Sequence, residues 1–253
     1  LLTQVIRLPS ISFVIPAHNE ELTLRACLES VRNAASQLEC DFEMIVVDDD
    51  SNDRTAEIAE EFADRRVAVA LRNIGAVRNA GAKFATKSLL IFIDADTRLP
   101  LKALRAILST MRRGTVGGGA LVRFDQRLDP VRHLLAYTFV IIWQDIFRYA
   151  AGCLVFVRRD LFEQVGGFDE EYFAAEEMYL SRKIKRRGKF RIVRSPVITS
   201  GRKMRTYGFW KLIRLAFGPL LRGPRAWRNR DRLGLLYEAR RESSTEKSAI
   251  RKS

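Results

Sequence analysis

Short apolar runs alternate along the first 200 residues with stretches whose apolar positions recur every three or four residues. Ile11-Ser12-Phe13-Val14-Ile15-Pro16 reads as a strand ending at its proline. Leu24, Cys27, Leu28 and Val31 follow a helical period within Glu20 to Ala35. Glu43 to Asp48 predicts a second strand, and Arg54 to Phe62 a helix that Ser51 and Asp53 can cap. A third strand over Val67 to Leu71, a turn from Asn73 to Gly75, a helix over Val77 to Ala85 and a fourth strand over Leu89 to Ile93 continue the series. Pro100 opens a helix over Leu101 to Arg112. Val116 to Val122 predicts a Gly-rich strand, where missing side chains let a ligand or a backbone come close. Beyond it the pattern predicts a helix over Val131 to Tyr149, a strand over Leu154 to Val157 and a short helix over Arg159 to Val165. A helix over Glu176 to Arg187, closed by Gly188, and a strand over Phe190 to Val193 complete it. Strands that are apolar throughout and alternate with helices imply an α/β fold, its mainly parallel sheet covered on both faces.

Charge divides the 253 residues. Arg182 to Ser253 carries 23 Lys+Arg against four acids, a net +19, while the preceding part is net −5. The expected organisation is a catalytic domain over 1–200, a basic amphipathic helical extension over 201–241 and a disordered tail over 242–253. In the extension Phe209, Leu212, Ile213, Ala216, Phe217 and Leu220 share a helical face, with Trp210 and Trp227 among arginines. That mix suits peripheral contact with an anionic membrane, or a helix whose arginines are simply solvated. No apolar stretch approaches the roughly 20 residues of a membrane-spanning helix. The odd cysteines Cys27, Cys40 and Cys153 argue against a disulfide framework. The expected location is the cytoplasm, or the cytoplasmic face of a membrane.

Asp94-Ala95-Asp96-Thr97 follows the fourth strand directly. In an open α/β sheet ligands bind at such strand ends. Two carboxylates one residue apart can hold Mg²⁺ or Mn²⁺ through oxygen ligands, and the cation can neutralise phosphate charge. Alone, the pair reads equally as solvated turn residues.

Four segments resemble the family 2 glycosyltransferases, nucleotide-sugar-dependent enzymes of GT-A fold. They are Val14-Ile15-Pro16-Ala17-His18-Asn19-Glu20-Glu21; Ile45 to Thr55 with Asp48-Asp49-Asp50; Arg78-Asn79-Ala80-Gly81 leading into Ile93 to Asp96; and Gly166-Gly167-Phe168-Asp169-Glu170 leading into Glu176-Glu177 and Arg186-Arg187-Gly188. Together they span Ile11 to Gly188 in the family's order.

The resemblance implies a Rossmann-like GT-A domain that transfers a sugar, with inversion, from a nucleoside diphosphate sugar to a hydroxyl acceptor on a lipid or glycan. It implies nucleotide contacts from Pro16, Ala17, Asn19, Glu20, Asp48, Asp49 and Asp94, with Asp49 accepting from the base. Asp50 departs from the glycine often found there. Arg78 reads as a diphosphate or base contact, or as a solvated helix residue. Asp96 is the first choice of metal ligand, with Asp94 on the metal or the ribose. Glu177 stands where the family usually has an aspartate base, and Glu176 is the alternative; as a longer carboxylate, Glu177 can abstract the same proton. Gly152, Tyr172 and Phe173 are expected to border the acceptor. Two other readings are a nucleic-acid-binding protein using the basic C-terminal third and a non-catalytic nucleotide-sugar-binding scaffold. The first lacks a recognisable nucleic-acid module; the second predicts lost acids where acids are present.

Overall fold

The computed structural model describes residues 9–125, 137–138, 140–172 and 175–201. The described residues form an eight-stranded sheet in the order β3-β2-β1-β4-β7-β6-β8-β5. The strands are β1 (Ile11–Ala17), β2 (Phe42–Asp49), β3 (Arg65–Val69), β4 (Leu89–Ile93), β5 (Thr97–Arg98), β6 (Thr115–Phe124), β7 (Leu154–Arg158) and β8 (Lys189–Thr199). The helices are α1 (Leu24–Ser36), α2 (Thr55–Phe62), α3 (Ile74–Ala82), α4 (Leu101–Arg112), α5 (Arg159–Gln164) and α6 (Glu176–Lys185).

The block β3-β2-β1-β4 is parallel throughout, as expected. Beyond β4 the sheet is mixed: β7 is antiparallel to both β4 and β6, whereas β6 and β8 are parallel. Both faces are covered. Phe13, Ile15, Met44, Ile91 and Ile93 face α1 and α4, whose Leu24, Leu28, Leu104 and Ile107 complete that core. Val14, Ile45, Val47, Leu90 and Phe92 turn the other way, toward Val77 of α3, Leu161 of α5 and Leu180 of α6. The period-2 alternation of a strand divides each apolar run between two cores.

The Gly-rich strand β6 admits protein. A Cβ on Gly118 would lie 1.8 Å from the Arg191 carbonyl oxygen of β8 and 2.6 Å from the Phe156 ring. Between β6 and β8 the register shifts from Ala120↔Val193 to Val122↔Val197, a bulge that takes in Pro196 and lets β8 run on to Thr199.

The expected helix Val131 to Tyr149 lies partly outside the described residues. Its described end is a π-helical turn at Ile142–Ile146, and helix is lost before Tyr149, where Arg148 takes a φ of 53°. Residues 202–253 and Phe173, hence nearly all of the basic extension and the whole tail, lie outside the described residues. Among the described residues no helix is long and apolar enough to cross a membrane.

Candidate active site

Because β1, β2 and β4 are parallel, the segments after Ala17, Asp49 and Ile93 gather on one edge. Antiparallel β7 starts at that edge, which brings Gly152 and Cys153 beside the turn after β4; the Asp94 amide donates to the Cys153 carbonyl at 3.2 Å. Asp94 to Thr97 closes as a turn, with the Thr97 amide donating to the Asp94 carbonyl at 2.9 Å. Asp96 Oδ1 accepts from Thr97 Oγ1 and Thr199 Oγ1, each at 3.4 Å, so it sits between the turn and the end of β8.

Arg78 enters from α3. The helix is capped by Asn73, whose Oδ1 accepts from the Ala76 amide at 3.0 Å. It approaches the sheet closely at Gly81, where a Cβ would lie 2.5 Å from methyls of Val14 and Val47. The Arg78 side chain is 2% exposed. Nη1 donates to Glu176 Oε1 at 2.6 Å; Nη2 donates to Asp94 Oδ1 and to the Gly152 carbonyl, both at 2.8 Å. Its Nε has no hydrogen-bond partner among the described residues. Burial alone lowers the guanidinium pKa; Asp94, Glu176 and Glu177 more than offset this and hold the charge in place.

The same helix secures the loop that precedes α6. Asn79 Nδ2 donates to the Phe168 carbonyl at 2.9 Å, and Asn79 Oδ1 accepts from the Phe168 amide at 3.0 Å. Asn73 Nδ2 donates to the carbonyls of Glu170, at 2.9 Å, and Tyr172, at 3.4 Å. Gly167, at φ 65°, makes the bend this staple requires. Tyr172 is buried and stacks on Tyr179 with centroids 3.7 Å apart. The loop then delivers Glu176 and Glu177 as the first turn of α6.

The two acids differ. Glu176 is buried in its ion pair with Arg78. Glu177 is half-buried and borders Gly152, where a Cβ would lie 3.8 Å from the Glu177 carboxyl carbon. Burial, then the neighbouring Glu176 charge, pushes the Glu177 carboxyl up to about 8, against the opposing pull of Arg78.

At the other end of the edge, Asp49 is buried, and its carboxylate accepts from the amides of Leu71, at 2.7 Å, and Arg72, at 3.0 Å. Asp48 points to the opposite face, as neighbours on a strand do; it accepts from Arg66 Nη1 at 3.0 Å and from the Ser51 amide. Pro16 and Ala17 belong to buried β1 itself, one residue beyond the strand end expected from the sequence. Asn19 and Glu20 zip the first loop to the second: the Asn19 amide donates to Ser51 Oγ, and the Glu20 amide to Thr55 Oγ1. Ser51 is thereby a loop-to-loop acceptor rather than a cap. Asp53, expected as a cap, stands one position before the N-cap Arg54 and accepts from the Thr55 amide at 2.9 Å.

Arg72 is the addition that pattern reasoning missed. Its Nη1 lies 2.7 Å from His18 Nε2, and its Nη2 pairs with Asp50 Oδ2 at 2.7 Å. The available signal was its position in the connection that ends at Asn73, the cap of α3. Cys27 Sγ donates to the Asp94 carbonyl at 3.6 Å; burial, then Asp96 and Asp94, pushes this thiol up and keeps it neutral. All three cysteines are free.

The family model described as glycosyl transferase family 2 matches residues 12–166. That is more than half of the chain, and the chain belongs to this family. It is similar to the 4,4'-diaponeurosporenoate glycosyltransferase of Staphylococcus haemolyticus, with 41% identity over 136 residues, 50% of this chain and 35% of the relative. It is similar also to the undecaprenyl-phosphate 4-deoxy-4-formamido-L-arabinose transferase of Proteus mirabilis, with 35% identity over 115 residues, 43% of this chain and 35% of the relative. The chain thus spans about a third of the length of these two relatives. The solved structure of the mannosyltransferase PcManGT from Pyrobaculum calidifontis, in complex with GDP-Man and Mn²⁺, matches with a TM-score of 0.63 at 17% identity. The match covers 92% of this chain and 70% of that one, and the two share the GT-A fold.

Proposed function

We propose that this chain carries the transfer centre of an inverting glycosyltransferase, which moves a sugar from a nucleoside diphosphate sugar to a hydroxyl acceptor borne by a lipid or glycan. The reading rests above all on buried Arg78, which ties the turn of Asp94 and Asp96 to the start of α6. A sugar leaving one side of that strut meets a carboxylate on the other.

The nucleotide lies across the ends of β1 and β2, where Asn19, Glu20, Asp49 and Arg72 shape the pocket for base and ribose. Asp48, turned toward Arg66, supports the loop from behind. Asp96, with Asp94, offers an oxygen-only donor set, and among the described residues no group of three His, Cys, Asp or Glu forms a closed metal cage. Such a set fits Mg²⁺ or Mn²⁺, which keeps waters and takes phosphate oxygens. A divalent cation bound there supplies charge neutralisation for the departing diphosphate.

Glu177 takes the acceptor proton as the acceptor oxygen bonds to the anomeric carbon and the bond from that carbon to the diphosphate oxygen breaks. Attack from the face opposite the diphosphate inverts the anomeric centre. Glu176, committed to Arg78, holds the helix start. Gly152 and Tyr172 border the acceptor. The names of the two relatives, which include undecaprenyl phosphate and diaponeurosporenoate, favour an acceptor carried at a membrane, and the basic segment 201–241 is suited to peripheral contact with anionic lipid.

Calorimetry with UDP, GDP, CDP and dTDP sugars, each with and without Mn²⁺, tests this reading. At least one donor should bind with Mn²⁺-enhanced affinity, and Asp96→Asn should abolish the enhancement. A folded chain that binds none of them would sink it.

A further inference from the structure

A charged feature far from the strand-end site takes no part in this chemistry. Lys102, Arg105 and Arg113 of the α4 region and Lys189, Arg191 and Arg194 of β8 line a cavity of about 650 Å³, and no acidic residue lines it. Arg191 stands eight positions before Thr199, the residue that touches Asp96. Because β8 bulges in between, the two pair with Gly118 and Phe124 of β6, six positions apart, which along an extended strand is roughly 20 Å.

The fold builds this groove from two elements. The buried stripe of α4, with Ala103, Leu104, Ile107 and Leu108, fixes the helix on the sheet and leaves Lys102 and Arg105 exposed on its flank. β8 pairs with β6 on one side; on the other, β5 covers it only at Ile198 and Thr199. Among the described residues the rest of that side is an open edge. Positive charge on an open edge can serve merely to block strand pairing. That explanation leaves the cations of α4 unaccounted for.

Among the described residues, Arg194 has an acidic partner, Asp145 at 2.9 Å, while Lys102, Arg105 and Arg191 have none. Two further cations are held by neutral groups. Arg113 Nη2 donates to Ser109 Oγ at 3.1 Å, and Lys189 Nζ donates to the Arg113 carbonyl at 3.4 Å. Oriented cations without counter-charge repel one another unless an anion joins them. Guanidinium forks match phosphate oxygens, and nearby hydroxyls can complete the contacts.

We propose that the groove between α4 and β8 binds a ligand carrying two or more phosphate groups, at a site separate from the donor site. The probe is inorganic pyrophosphate, titrated into the whole chain in EDTA so that metal-dependent binding at Asp96 is silent. Wild type and Asp96→Asn should bind it alike, which separates this site from the proposed donor site. Arg105→Gln/Arg191→Gln, both at exposed positions, should weaken binding by about tenfold or more, the scale of losing charge-assisted hydrogen bonds.

A second arm floats the protein with vesicles of phosphatidylcholine alone or mixed equally with phosphatidylglycerol. If the double variant loses anionic-vesicle binding together with pyrophosphate, the phosphates belong to lipid headgroups; if it loses pyrophosphate alone, they belong to a soluble ligand. Equal pyrophosphate affinity in wild type and in a double variant with unchanged circular dichroism would overturn the proposal. So would displacement of pyrophosphate by a short DNA duplex at far lower concentration, which would assign the groove to nucleic acid.

Discussion

Arg78 and Glu176, 98 positions apart in sequence, meet as a buried ion pair with Nη1 and Oε1 2.6 Å apart. Since the same guanidinium holds Asp94 and the Gly152 carbonyl, one cation links β4, β7 and α6 at the sheet edge. Removing one member of a buried pair leaves the other charge uncompensated, at a cost of about 3–5 kcal/mol. Arg78→Met should lose stability on this scale in urea unfolding. Arg78→Met/Glu176→Met should lose less than the single change, because the buried Glu176 carboxylate is no longer orphaned, whereas Asp94, 29% exposed, keeps contact with solvent. A single-variant loss under about 1 kcal/mol would mean that the pair is not a structural strut.

Two glycines should separate packing from chemistry. Gly118→Ala drives a methyl into the Arg191 backbone and the Phe156 ring, and neither can move away cheaply. The expected loss is about 3 kcal/mol or more, a large part of a domain's stability. At Gly152 the nearest atom to an added Cβ is Arg78 Nη2 at 3.6 Å, ordinary contact. Gly152→Ala should melt like wild type while weakening acceptor use. Equal melting temperatures for the two variants would contradict the packing of β6 on β8.

Where the pattern was strongly periodic, sequence and structure agree: β4 (Leu89–Ile93) and α4 (Leu101–Arg112) have the expected ends. Elsewhere side chains shifted the boundaries. β3 begins at Arg65 rather than Val67, and Arg66 within it pairs with Asp48 and Glu60. α3 begins at Ile74 rather than Val77 because Asn73, read as a turn residue, is its cap. β8 passes through Pro196, which reads as a strand breaker until the bulge opposite β6 is known. Nothing in hydropathy tells that β7 runs antiparallel to β4. The same holds for the site. Local motifs marked Asp94, Asp96, Glu176 and Glu177, but no periodicity encodes a contact across 98 positions, and Arg72 finds His18 and Asp50 only through the fold.

Ala175, immediately before Glu176, takes a left-handed φ of 60°. That conformation costs an L-residue roughly 1–2 kcal/mol relative to glycine. Ala175→Gly relieves it but adds unfolded-state entropy, so the net gain should be under about 1 kcal/mol. Ala175→Val should instead destabilise by about 2 kcal/mol, since a β-branched residue fits this backbone poorly. Thermal melts of the two variants in opposite directions are the expected result; a neutral valine would show that the segment relaxes without cost.

Glu177 gives the last prediction, because its raised pKa fixes the sign of two pH effects. In the unfolded chain a glutamate titrates near 4.3; in the fold, burial and Glu176 push Glu177 up to about 8. Between those values the folded protein holds a proton that the unfolded chain has released. Its contribution to stability is therefore fully present below about pH 4, falls as pH rises through this window, and levels off above about 8. Glu177→Gln lacks this dependence and should melt higher than wild type at pH 9, with the gap closing toward pH 5. Activity should run the other way, since the base must be ionised: the wild-type rate should climb with pH and level off above about 8. Glu177→Gln should retain donor binding, lose roughly a hundred- to ten-thousand-fold in transfer, and show no such climb. Glu177→Asp keeps a carboxylate and should recover part of the rate. Were Glu177→Gln to transfer at the wild-type rate while Glu176→Gln did not, the two acids would exchange roles. A wild-type pH profile that survives in Glu177→Gln would assign the titration to another group.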